Sequence, residues 1–109
     1  MSIPRVKENE SFLKLLLSTT RQQQRVLLDT ATSGQVDALT EILHNLLHVV
    51  PISDRERNSI NRKKSLSELA KITRSYKYRL AHVRKNKRQL LTTLQRYTNE
   101  LLEVISGNE

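Results

Sequence analysis

Apolar residues in this chain recur at spacings of three and four, with almost none of the alternation a strand needs, and that period confines the fold to packed helices. The longest run is Tyr76, Leu80, Val83, Lys87, Leu90, Leu94, Tyr97, Leu101 and Val104, which steps four and three in turn with only Lys87 breaking the heptad. Leu91, Leu102 and Ile105 widen that stripe, as a helix in a globular bundle requires. Earlier, Val36, Leu39, Ile42, Leu43, Leu46, Leu47 and Val50 form a broad stripe that Pro51 ends. Phe12, Leu13, Leu15, Leu16 and Leu17 crowd a short helix from Asn9 to Ser18 that must be mostly buried. The expectation is all-α: a compact multi-helix bundle of about five helices, ending in a long C-terminal helix or helix pair.

Capping signals divide the run. Thr20 with Gln23 starts a helix that stops near Ala31, and Thr32 or Ser33 with Gln35 or Asp37 starts the next. Ser53 with Glu56 opens a third, carrying Ile60, Leu66, Leu69, Ala70 and Ile72, and "SLSE" at Ser65 to Glu68 suggests a break near Lys64. Ser75 caps the last helix and Gly107 stops it. A chain of 109 residues predicts a single domain over 1–109, with residues 9–50 as an apolar helical platform and residues 53–106 as a basic helical segment packed on it.

Charge is divided unevenly between those parts. Residues 1–54 hold five Lys or Arg against six Asp or Glu, a net of −1, whereas residues 55–109 hold fourteen against five, a net of +9. A polyanionic partner for the second half follows. The absence of Cys removes disulfides and thiolate metal sites and suits a reducing, intracellular setting, and two glycines are too few for a phosphate-cradling loop. No apolar run approaches the roughly 20 residues that span a bilayer, and "MSIPRVKENE" has no signal-peptide core, so the mature chain is expected to start here.

The densest charge is "RKNKR" at residues 84–88, inside the leucine stripe. In one continuous helix Lys87 is a seam lysine that snorkels past its neighbours. With Asn86 as a helix stop, the cluster connects a helix at 75–85 to another at 88–106. Either arrangement sends the cluster to solvent, where it would bind phosphates or an importin. Arg55, Arg57 and Arg96 belong to the same basic half. The expected nucleic-acid-binding set is Arg62, Lys63, Lys64, Lys71, Arg74, Lys77, Arg79, Arg84, Lys85, Lys87 and Arg88. Tyr76 and Tyr78 are too few to stack single-stranded bases, so a salt-sensitive backbone mode is expected, on duplex DNA before RNA.

Glu41, His44 and His48 share a helical face but lack a fourth ligand, so no metal site is expected. No nucleophile–base pair, carboxylate pair or phosphate loop is present, and the chain reads as a non-enzyme without cofactor, small-molecule substrate or membrane partner.

The stretch "LLLSTTRQQQRVLLDTATSGQVDALTEILHNLL", followed by "SLSELAKITRSYKYRLAHVRKNKRQLL", resembles a small basic helical protein encoded by adenovirus-like and Polinton-type DNA elements of animals. The resemblance covers residues 12–95 and rests on the "LLDTAT..QVDAL.EI..NLL" helix pair and the later basic segment. It implies a virus or mobile element that must condense, package or deliver its own DNA, with a nuclear or virion-associated location. The expected function is sequence-tolerant DNA binding as a core or packaging-type protein. The alternative is a helical interaction or homo-oligomerisation module built on the coiled-coil-like C-terminal stripe.

Overall fold

Short-range side-chain capping sets four of the helix starts. The Thr20 hydroxyl accepts the Gln23 N–H at 3.2 Å and opens a helix at Arg21, but the reciprocal half of a capping box is missing. Thr32 and Gln35 complete one, with the Gln35 N–H donating to Thr32 Oγ1 at 3.2 Å and the Thr32 N–H to Gln35 Oε1 at 2.9 Å. Ser53 and Glu56 form a second box at 3.1 and 3.3 Å. Ser75 accepts the Tyr78 N–H.

The computed structural model describes residues 3–71 and 75–106. Among them, nine helices follow one another: α1 Pro4–Glu8, α2 Glu10–Ser18, α3 Arg21–Asp29, α4 Ser33–His48, α5 Asp54–Arg62, α6 Lys64–Leu69, α7 Tyr76–Lys85, α8 Lys87–Arg96 and α9 Thr98–Ser106. No strand occurs among the described residues. Ile72, Arg74 and Gly107 lie outside them, as does the side chain of Ser65. No described helix is long and apolar enough to cross a membrane.

The expected five helices become nine for three local reasons. α1 is too short to show a period, and it is held by its surroundings: Pro4 pre-sets its first turn, Val6 is fully buried, and the Val6 N–H donates to Glu41 Oε1 on α4 at 2.9 Å. Lys63 leaves helical geometry at ψ 98°, ending α5 and preceding α6, which has no side-chain cap. The C-terminal run breaks twice, at Asn86 and at Tyr97. At the first break the Asn86 N–H makes the last bond of the α7 ladder, to the His82 carbonyl at 3.0 Å, and the Asn86 side-chain amide donates to the same carbonyl at 3.1 Å, while the Asn86 backbone leaves helical geometry at ψ 33°. At the second, the Thr98 hydroxyl donates back to the Leu94 and Gln95 carbonyls. The long C-terminal helix or helix pair is therefore three helices.

The central α4 touches α1, α2, α5, α6, α7 and α9. Its Leu39, Ile42, Leu43 and Leu46 join one apolar cluster with Leu13 and Leu16 of α2, Ile60 of α5, Leu66 and Leu69 of α6, and Leu90, Leu94, Leu101 and Ile105 of α8 and α9. Most of the leucine stripe thus points into the interior of its own chain. A smaller cluster of Ala31, Val36 and Leu80 is closed by Tyr76, whose hydroxyl donates to the Ala31 carbonyl at 3.1 Å.

Candidate functional site

Four cations of the basic half are spent on holding that half to the first. Arg57 donates to the carbonyls of Leu47, Val50 and Ile52, closing the end of α4, and pairs with Asp54 at 3.1 Å. Arg79 is buried: its guanidinium pairs with Asp37 at 2.6 Å and donates to the Thr40 hydroxyl at 2.8 Å. Arg84 donates to the Asp29 carbonyl at 3.0 Å, and Lys87 pairs with the Asp29 carboxylate at 2.6 Å. Both sit at the C-terminal end of α3, where the helix dipole favours positive charge.

That arrangement revises the reading of "RKNKR". Asn86 is the helix stop, and Lys87 faces α3 instead of open solvent. Arg84, Lys85 and Arg88 are exposed, although Arg84 is tied to Asp29. Arg79 leaves the expected phosphate-binding face altogether, because its charge is compensated inside the fold. Lys71 is exposed and paired with Glu68 at 2.6 Å, while Arg62, Lys64 and Lys77 are exposed.

Five further cations, Arg55, Lys63, Lys85, Arg88 and Arg96, converge between α5 and α8. Arg55 and Ser59 of α5 and Lys63, the residue just past its end, line one side of this space. On α8, Arg88, Thr92 and Arg96 step by four along one face. Ile60, Thr93 and Tyr97 also line the space between them, a cleft of about 360 Å³ flanked by Arg55, Lys63 and Arg96. An adjoining cleft of about 430 Å³ is lined by Lys63, Lys85, Asn86, Arg88, Gln89 and Thr92. Among the described residues, no carboxylate pairs with Arg55, Lys63, Lys85, Arg88 or Arg96.

One carboxylate stands inside the cleft and is already engaged. Glu56 Oε2 accepts the Tyr97 hydroxyl at 2.9 Å, and Oε1 accepts from the Ser53 hydroxyl and N–H. The Tyr97 hydrogen bond, the Ser53 donors and the charge of Arg96 hold the Glu56 carboxyl below its ordinary value of 4.5. Burial pushes the Tyr97 phenol above 10.0, and the neighbouring Glu56 anion adds to the rise. At neutral pH the pair is an anion and its donor, bolting α5 to the α8–α9 junction while Arg96 lies 5.9 Å from the Tyr97 ring centre.

Compared with protein-family models, curated proteins and solved structures, the chain has no match.

Of the residues expected from sequence, the cleft gathers Lys63, Lys85 and Arg88. It adds Arg55 and Arg96, which sequence reasoning placed in the basic half but not in the site. Their signal was present in the four-residue steps that separate Arg55 from Lys63 and Arg96 from Arg88. Arg74 lies outside the described residues. On the Glu41, His44 and His48 face, Glu41 accepts the Val6 N–H in the first turn of α1, and the two imidazole rings lie 4.4 Å apart, tilted by 46°.

Proposed function

We propose that this protein binds nucleic acid without sequence preference, duplex DNA before RNA, through the basic cleft between α5 and α8. The observation that carries the reading is the convergence of Arg55, Lys63, Lys85, Arg88 and Arg96 on one concave surface without carboxylate partners among the described residues. Cations so placed neutralise phosphates and release counterions, a contribution that is blind to base sequence. The resemblance to a basic protein of viral and mobile DNA elements fits a core or packaging role, in the nucleus or the virion.

The test is fluorescence anisotropy of labelled duplexes of unrelated sequence, titrated at several salt concentrations. Five phosphate contacts give a log–log slope of about −4.5, similar for every sequence. The triple variant Lys63→Ala, Arg88→Ala, Arg96→Ala should flatten that slope by about 2.7 while its circular dichroism stays native. An unchanged affinity in a folded triple variant would falsify the assignment of the cleft.

A further inference from the structure

The basic cleft has two chambers, and they meet at one lysine. Lys63 and Thr92 line both, whereas Arg55 and Arg96 belong only to the first chamber and Lys85 and Arg88 only to the second. Lys63 is placed there by the backbone: it ends α5 and precedes α6 at an extended ψ of 98°, so its side chain departs from the junction of two helices.

We propose that the cleft is a site for two consecutive phosphates of one chain, one in each chamber, with Lys63 bridging them. The inference rests on the polyanion reading of the same cleft and adds the ligand's chemistry: phosphates joined covalently at short spacing, as in a phosphodiester backbone or an inorganic polyphosphate. The chambers are unequal. The first contains the Glu56 carboxylate, which its hydrogen bonds to Tyr97 and Ser53 keep ionised and fixed in place. The second has no carboxylate in its lining, and the Asn86 and Gln89 side chains stand in its wall. An isolated phosphate therefore prefers the second chamber. A joined pair fills both, because once the second chamber is occupied the neighbouring phosphate is presented to the first at high effective concentration. Lys63 then contacts both groups, so its loss is felt twice.

The experiment uses the full chain in isothermal titration with three probes: inorganic phosphate, long-chain inorganic polyphosphate and a duplex DNA oligonucleotide. Wild type is compared with Lys63→Met, Arg88→Met and, as a control at an exposed position outside the cleft, Lys77→Met, with circular dichroism checking each fold. The expected result is chain affinity reduced about tenfold by Lys63→Met and less than twofold by Lys77→Met. Inorganic phosphate should bind far more weakly than either chain and lose most of its affinity in Arg88→Met. Equal, small effects of Lys63→Met and Lys77→Met, with both chains still binding, overturn the two-phosphate site and leave the nucleic-acid reading standing. Binding of polyphosphate without the oligonucleotide supports the two-phosphate site and overturns the nucleic-acid reading. Binding of neither chain overturns both.

Discussion

An arginine only 6% exposed needs an anion and acceptors around its guanidinium, and Arg79 finds them on α4 in Asp37 and Thr40. Taking away the anion leaves the cation buried without its Asp37 carboxylate, which costs more than losing the pair as a whole. Asp37→Ala should destabilise the fold by about 3 kcal/mol in urea unfolding, and adding Arg79→Met should recover part of that loss. Additive losses in the double variant would mean that the two side chains are not coupled. Sequence could show that Arg79 is a cation on a helix but not that its partner lies 42 residues earlier. Residue type was legible here; partner and burial were not, because both depend on how α7 lies against α4. Glu56 was legible in one role, as a cap on Ser53, and hidden in the other, as the acceptor for Tyr97.

At the scale of the element, "RKNKR" separates into neighbours with different duties. Asn86 breaks the helix, Lys87 pairs with Asp29 at the end of α3, and Lys85 and Arg88 line the cleft. Charge removal at positions 87 and 88 should therefore give opposite signatures. Lys87→Met lowers thermal stability by no more than about 1 kcal/mol, since the pair is partly exposed, and barely alters the salt slope of DNA binding. Arg88→Met leaves stability unchanged and flattens the slope by about 0.9. Melting curves and salt titrations on the two variants decide it, and the reverse pattern would exchange their roles. The starts at Thr20, Thr32, Ser53 and Ser75 were legible because a cap is a bond between residues three apart. The short α1 and the break at Tyr97 were not. The first is held by Glu41 across the fold, and the second depends on threonine hydroxyls turning back to the backbone where a heptad pattern continues unbroken.

For the whole molecule, the deciding fact is where the C-terminal stripe points. Leu94 and Leu101 are buried against helices of the same chain, in a cluster that runs in sequence from Ile3 to Ile105 within a body of 31 × 29 × 27 Å. A 4-3 spacing specifies an apolar seam without specifying what covers it, and here the first half of the chain does. A zipper and a core make different predictions for one substitution. Were the stripe an interface between chains, Leu101→Glu would yield separated but still helical monomers. In a core, the same change puts a carboxylate where no surface is exposed and loses the packing of a leucine. Those costs together reach the 5–15 kcal/mol that keeps a domain folded. Leu101→Glu should accordingly abolish the cooperative melt seen by circular dichroism at every protein concentration, whereas Leu15→Glu, at a position 51% exposed, should leave it within a few degrees of wild type. A folded Leu101→Glu protein of reduced mass in light scattering would return the stripe to the role of an assembly surface. The basic cleft would then have to be considered as part of a larger, multivalent array.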